Sequence, residues 1–501
     1  MLKIINKKQY LFRKFNQSSI GLKVANQKNQ KYFTYNFCDI LNLFIFSNVL
    51  ILKKKYAFNI YTDFFMYTNT HIEGLLKPFQ LDSPVSSTIN RVSTNINVGK
   101  YVDYFADMWK ECNSYLPDFG QVYSSKEKLS REQDIEKFFT AIRKEANKTG
   151  VDGKESLRNY DKFTPAIKLF LKDGLHFGDE EIDLFFSNEF LKITSQFIEA
   201  AREFDPTIRP EEIYQACRNV WAMNWMQLFL KKPVELTPSI FAYSMLYPYT
   251  DNFIDDPNIS FEDKINFNER LYKRLEGETI EAGNSHEQII YTLIRMIESQ
   301  YDRSIYPGVF ESLLAIHTAQ IKSLMLFDEE CTLTENEILN ISLEKGGASV
   351  LVDGYLVAGN LTEDQKVFLF GYGAYLQLVD DLQDVGEDSR ANVRTIYSVV
   401  SGKSKLDELI NQTYNFGNRI LSGCDLFSVD ENACLFEIMK KGSKLLLIGA
   451  VGLTSEYYSS SHVEKMEEHS PFHFSFIRKN QKNFFSYGMQ MLKISNTHTR
   501  N

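Results

Sequence analysis

The chain has 501 residues, of which 44% are hydrophobic and 24% are charged, a composition typical of a folded protein with a large core. Its 25 Gly and 12 Pro residues are too few for a turn-rich β-sandwich or for long disordered tracts. The net charge is −9, and no basic cluster occurs in the middle of the chain, which argues against a nucleic-acid partner.

The first part of the chain, residues 1–70, is a basic extension rich in Asn and Phe. The apolar run Ile40–Leu52 is 13 residues long, shorter than the roughly 20 that span a bilayer. Three interpretations remain open: a membrane-surface anchor, a poorly ordered appendage, or a translation start at Met66. We favour the last two.

From about Leu75 onward, apolar residues recur at three- and four-residue spacing, which predicts an all-α domain over residues 71–480 and a tail over 481–501. Pro210 is expected in the first turn of one helix, and Thr362 is expected to cap another. The predicted helices include Lys126–Lys148, Thr164–Leu171, Glu211–Lys231, Glu287–Tyr301, Pro307–Phe327, Glu335–Lys345 and Leu361–Val385.

The six cysteines give little support to a disulfide scaffold or a zinc ribbon, because none forms a CxxC pair. We expect them to be reduced, buried thiols of a cytoplasmic protein. They are Cys38, Cys112, Cys217, Cys331, Cys424 and Cys434.

A first acidic cluster contains Asp251 and Asp255, which share one helical face because they are four residues apart, with Asp256 beside them. Aromatic residues near it could line a cavity, but packing in an ordinary core is the better explanation for any one of them. They are Trp221, Trp225, Phe229, Tyr243 and Tyr247.

A second acidic cluster follows the apolar stretch Val367–Val379. Asp380 and Asp384 share a face there, and Asp381 lies between them. Like charges on one helical face repel, and they are unfavourable near a helix C-terminus. Carboxylates are ligands for Mg²⁺, which takes one or two of them together with substrate phosphates and water. One acidic cluster alone would indicate a solvated acidic turn. The two clusters together favour a site for metal ions and a diphosphate.

The second cluster and its surroundings resemble the class I isoprenoid synthase superfamily. The run Phe370–Asp388 resembles the second motif of trans-prenyl diphosphate synthases, aromatic-Gln-x-x-Asp-Asp-x-x-Asp, with Leu376 in the aromatic position. Glu344–Ala348 resembles their Lys-Thr-Gly element, and Arg394 stands where they usually have a diphosphate-binding lysine. These elements agree with the family in order and approximate spacing.

The first motif departs from the chain-elongating members of this superfamily. Asp251-x-x-x-Asp255-Asp256 is closer to the DxxxD(D) of squalene and phytoene synthases. Upstream there is no recognisable Gly-Lys-x-x-Arg element, and Pro257 follows the motif where elongating enzymes often have an arginine pair. The resemblance covers about residues 200–400 and disfavours ordinary chain elongation.

The resemblance implies a bundle of ten or more helices around a deep cavity, a prenyl diphosphate substrate and three Mg²⁺ ions. It implies that Asp251, Asp255 and Asp256 bind Mg²⁺ from one wall and that Asp380, Asp381 and Asp384 bind it from the other. The diphosphate-binding residues it implies are Gln377, Lys345 and Arg394. Arg218 and Lys322 are weaker candidates, for which an ordinary surface charge is the better explanation.

The activity implied is Mg²⁺-dependent ionisation of an allylic prenyl diphosphate. A terpene synthase fits first, then head-to-head coupling, then chain elongation. Outside enzymes, a catalytically silent prenyl-diphosphate-binding or partner protein fits. A homodimer and peripheral membrane contact are left open.

Overall fold

The computed structural model describes residues 96–148, 177–185, 188–255, 258–327, 332–423 and 429–480, together with Lys168, Leu171, Lys172 and Leu175. The predicted extension 1–70, the tail 481–501 and most of the predicted helix Thr164–Leu171 lie outside the described residues.

The described part of the chain is built from α-helices and contains no strand, which confirms the predicted all-α fold class. Short 3₁₀-helices lie at Leu324–Phe327 and Ser455–Tyr457. The α-helices are α1 Val98–Glu111, α2 Ser125–Lys148, α3 Asp179–Phe185, α4 Asn188–Phe204, α5 Pro210–Phe229, α6 Pro238–Asp255, α7 Phe261–Glu276, α8 Ser285–Gln300, α9 Pro307–Ser323, α10 Glu335–Ala358, α11 Glu363–Gln383, α12 Val385–Arg390, α13 Ile396–Ser401, α14 Asp407–Ser422, α15 Val429–Leu453 and α16 Ser460–Glu468.

The helix starts follow the capping signals in the sequence. Thr362 caps α11: its side chain accepts the N–H of Gln365, and the Gln365 side chain accepts the N–H of Thr362 in return. Pro210 is the first residue of α5, where a missing N–H costs nothing because that donor has no partner inside the helix. Both predictions are confirmed.

Helix α10 corrects one predicted boundary. We predicted its end at Lys345, yet the helix continues through Gly346 and Gly347 to Ala358. The glycines are tolerated because α11 packs directly against them. A Cβ atom on Gly346 would overlap the carbonyl oxygen of Gly373 on α11, and a Cβ on Gly373 would overlap that of Gly346. The small residues therefore set the close approach of the two helices.

Helix α10 lies at the centre of the bundle, in contact with α1, α5, α6, α9, α11 and α13. Its central residues are almost all buried. A helix that is apolar on every side belongs in the interior of a large protein. The residues that α10 presents to its neighbours therefore decide what the centre of the molecule can do.

Cys112, Cys217 and Cys434 form no disulfide bond among the described residues, although only Cys217 is fully buried. His317 is a core histidine that packs near Tyr272, and burial lowers its pKa to about 4, so the ring is neutral at physiological pH. None of the helices that the structure describes is long and apolar enough to cross a lipid bilayer.

Asp353 is a buried acid in the middle of α10. Its side chain is 7% exposed, and its Oδ1 has no hydrogen-bond partner among the described residues. Burial raises the pKa of this carboxyl well above its ordinary value, so the folded protein favours the neutral form.

We expect Asp353→Asn to raise the free energy of unfolding by about 2 kcal/mol at pH 7.5, because the amide need not be neutralised on burial. An acid whose pKa is raised in the folded state costs stability as pH rises above its unfolded pKa of about 4. At about pH 4 the two proteins should therefore be equally stable. Urea unfolding at both pH values measures the difference, and a gap that does not depend on pH would contradict this assignment.

Candidate functional site

Asp381, at the C-terminal end of α11, is anchored by the protein. Ser342 on α10 donates its hydroxyl to Oδ2 at 2.7 Å, and Gln377, one turn earlier on α11, donates its amide to Oδ1 at 2.8 Å. Burial, with a further contribution from the neighbouring charge of Asp380, raises the pKa of Asp381 to about 6. The two hydrogen bonds and the charge of Lys345 act in the opposite direction. Both oxygens of Asp381 are thus held by protein donors.

Asp380 is held much less tightly than its neighbour. The side chain is half-buried, and its Oδ1 is enclosed without a hydrogen-bond partner in the described structure. Its Oδ2 lies 3.5 Å from the amide nitrogen of Gln377, at the limit of a hydrogen bond. An enclosed carboxylate oxygen without a donor is unfavourable in the protein alone, and a bound cation would satisfy it.

Asp384 closes α11, and its backbone N–H donates to the carbonyl oxygen of Asp380 at 3.0 Å. The backbone then turns into α12, so the side chains of Asp380 and Asp384 stay one helical turn apart at the end of a buried helix. The sequence-predicted pairing of these two residues on one face is therefore present.

Basic residues surround this end of α11. Lys345 lies on α10, one turn after Ser342, and its charge acts on Asp381. Lys322, near the end of α9, donates to the carboxylate of Glu344 at 2.6 Å. Glu344 directly precedes Lys345 on α10. Because the ion pair is largely buried, it fixes Lys322 beside the same stretch of α10.

Arg394 enters the same neighbourhood from the segment that follows α12. Its backbone N–H donates to the carbonyl oxygen of Leu326 at 2.9 Å, and one Nη donates to that of Met325 at 2.8 Å. These two carbonyls follow Lys322 by about one turn. The structure thus brings together the second motif, Gln377, Lys345, Lys322 and Arg394.

The first motif lies at the C-terminal end of α6. The backbone of Asp251 and Asp255 belongs to this helix, but their side chains, and the whole of Asp256, lie outside the described residues. The last turns of α6 are fixed by neighbouring helices. The hydroxyl of Tyr249 donates to Asp205 at 2.6 Å, and the amide of Asn252 donates to Glu212 at 3.1 Å.

The ends of α6 and α11 that carry the acidic motifs lie at the same end of the bundle. At the opposite end, the hydroxyl of Ser239, in the first turn of α6, donates to the carbonyl oxygen of Leu356, near the end of α10, at 2.9 Å. Helix α10 then leads back to Ser342, which binds Asp381. Helices α6 and α11 therefore both run antiparallel to α10 and parallel to each other.

A second series of contacts supports the same direction for α6. The ring of Phe253, near its C-terminal end, lies 4.6 Å from that of Phe267 on α7. The next residue, Asn268, contacts His317 on α9 through its backbone. Along α9, His317 lies between Gly308 and Lys322. Gly308 faces Tyr355, near the end of α10, and Lys322 binds Glu344, nearer its start.

Arg218 lies on α5, three residues before Trp221, whose ring N–H donates to Thr194 on α4 at 2.8 Å. Trp221 itself is fully buried, which supports the core interpretation for this ring. Phe229 stacks on Phe368 of α11 with ring centroids 5.1 Å apart, whereas Tyr247 is exposed.

The part of the chain that the structure describes contains no group of three or more His, Cys, Asp or Glu residues arranged to hold a metal ion. Asp380 and Asp384 would thus need further ligands. Mg²⁺ commonly takes one or two carboxylates and completes its octahedron with phosphate oxygens and water, so the unpartnered Oδ1 of Asp380 fits such a site.

Sequence reasoning missed Ser342, the residue that distinguishes Asp381 from Asp380. Its position one turn before Lys345 on a predicted helix placed it on the same face, but nothing local indicated that α11 would pack there.

No protein-family model matches this chain, and comparisons with curated proteins and with solved structures found no similar protein.

Proposed function

We propose that this protein is a Mg²⁺-dependent enzyme of isoprenoid metabolism, with an isoprenoid synthase-like fold, that ionises an allylic prenyl diphosphate and releases diphosphate as a terpene synthase does. The observation that carries the proposal is the arrangement of α6 and α11. Two helices that carry aspartate-rich motifs run parallel and finish at the same end of the bundle, which also holds Lys345, Lys322 and Arg394.

In this proposal Asp380 and Asp384 bind Mg²⁺ from one side and the acids of the first motif bind it from the other. Three bound Mg²⁺ ions would neutralise the negative charge that develops on the leaving diphosphate. Lys345 and Arg394 add positive charge at the same place, and fixed cations are effective there because they need not reorganise during the reaction.

Asp381 has a positioning role. Its hydrogen bond to Ser342 ties α11 to α10, so the neighbouring Asp380 is presented in a fixed direction. Gln377 bridges the two carboxylates from the preceding turn, 2.8 Å from Asp381 and 3.5 Å from Asp380. Such supporting contacts orient the residues that bind a metal.

Stacked aromatic rings in the core would suit a carbocation. The rings of Phe229, Phe368 and Tyr372 stack in series on α5 and α11. An apolar surrounding excludes water, which would quench an allylic cation, and the faces of aromatic rings attract positive charge.

A catalytically silent binding protein is the second candidate. The observation in its favour is that both oxygens of Asp381 are already held by Ser342 and Gln377, so this carboxylate of the second motif is not available to a metal ion. Such a protein would bind a prenyl diphosphate through Lys345 and Arg394 and leave it intact.

One assay separates these functions. The purified protein is incubated with Mg²⁺ and prenyl diphosphates from C10 to C25, with and without isopentenyl diphosphate, and diphosphate release is measured. We expect release from a single allylic substrate and none when EDTA is present. Release that requires isopentenyl diphosphate would identify a chain elongator, and coupling of two identical substrates would identify a head-to-head enzyme. Binding without release would identify the silent protein.

A further inference from the structure

The last full turn of α11 carries a second polar side chain whose hydrogen-bonding groups are not used. Gln383 is 2% exposed, and neither its amide nitrogen nor its amide oxygen has a hydrogen-bond partner in the described structure. A buried primary amide normally finds partners for both groups, because leaving them unsatisfied is unfavourable.

Another glutamine in the core shows the usual arrangement. Gln227 on α5 is also 2% exposed, but its amide nitrogen donates to the carbonyl oxygen of Glu235 at 2.9 Å and its amide oxygen accepts the N–H of Glu235 at 3.3 Å. Gln227 thus closes the turn between α5 and α6. Among the described residues, Gln227 and Gln383 are buried to the same extent, and only Gln227 has hydrogen-bond partners for its amide.

Gln383 lies beside the acidic residues of the second motif. It is three residues after Asp380, so the two side chains are neighbours on the surface of α11. The Oδ1 atom of Asp380 is likewise enclosed and unpartnered. Two adjacent side chains with unsatisfied buried polar atoms indicate a place that a polar ligand completes.

We propose that Gln383 is a further substrate-binding residue, whose amide N–H groups donate to an oxygen of the diphosphate held at the end of α11. This inference rests on the proposed function. An amide suits this position because it offers donors to an anion without adding a negative charge beside Asp380 and Asp381. Its oxygen can at the same time accept a hydrogen bond from a metal-bound water molecule.

The test compares Gln383→Met with the matched variant Gln227→Met, because methionine keeps the length of glutamine and removes the amide. The probe is inorganic pyrophosphate with Mg²⁺, and the measurements are the dissociation constant by calorimetry and the Tm without ligand. For Gln383→Met we expect binding about tenfold weaker, as for one hydrogen bond to a charged group, and an equal or higher Tm. For Gln227→Met we expect a lower Tm and unchanged binding.

Gln383→Glu provides a second variant of nearly identical shape. It loses the donor and adds a negative charge, so pyrophosphate should bind at least as weakly as it does to Gln383→Met.

The inference is overturned if Gln383→Met binds pyrophosphate as the wild type does, or if its Tm falls as far as that of Gln227→Met with binding kept, since its amide would then have a structural role. Failure of the wild-type protein to bind pyrophosphate with Mg²⁺ would remove the proposed function as well. If the wild type and the Gln383→Met variant bind pyrophosphate equally well, only the inference about Gln383 is wrong and the proposed function stands.

Discussion

Replacing Asp380 with asparagine should reduce the rate of diphosphate release by a factor on the order of 10²–10³, the usual effect of losing one electrostatic contact to a transition state. The substitution keeps the shape of the side chain and removes its negative charge. In the wild type, the Oδ1 atom of this carboxylate is enclosed without a hydrogen-bond donor. Steady-state kinetics with an allylic diphosphate and varied Mg²⁺ measure the effect, and the Mg²⁺ concentration at half-maximal rate should rise.

The same substitution should leave the folded protein intact or slightly more stable. The charge of Asp380 raises the pKa of Asp381, so removing it relieves a repulsion between neighbouring carboxylates. Asp364→Asn, in the exposed first turn of the same helix, is the matched control and should keep full activity. Wild-type kinetics in the Asp380→Asn variant would show that this carboxylate takes no part in the reaction.

Replacing Gly373 with alanine should lower the free energy of unfolding by about 3 kcal/mol or more, at the upper end of the cost of overpacking a core. The added methyl group would overlap the carbonyl oxygen of Gly346 across the contact between α10 and α11. A backbone carbonyl cannot move aside as a flexible side chain can, so the two helices must separate. Urea or thermal unfolding measures this loss.

We expect the Gly373→Ala variant to lose activity as well as stability. Separating α10 from α11 also weakens the contact between Ser342 and Asp381 and moves Lys345 away from the second motif. Gly402→Ala is the control: nothing lies within 4 Å of the added carbon, and the backbone is in the right-handed helical region. It should be neutral or stabilise the protein by up to about 1 kcal/mol. Equal stability of Gly373→Ala and Gly402→Ala would contradict the close packing described for these helices.

The sequence alone determined the helical class, several helix boundaries and the position of both acidic motifs near helix ends. These properties depend on neighbours within about one turn. Thr362 caps α11 through Gln365, three residues away, and Asp380 and Asp384 share a face because the helix repeats every 3.6 residues. The predicted end of α10 at Lys345 was wrong: the helix continues through two glycines, although glycine by itself disfavours a helix interior.

The tertiary structure alone decided which helix faces meet. It continued α10 past Gly346 because Gly373 packs there, and it placed Trp221 of α5 against Thr194 of α4. It also separated two adjacent aspartates: Asp381 is held by Ser342, 39 residues earlier in the chain, while one oxygen of Asp380 is left without a donor. A periodic pattern shows that a helix has an apolar face, but the partner of that face is selected by packing between residues far apart in the sequence.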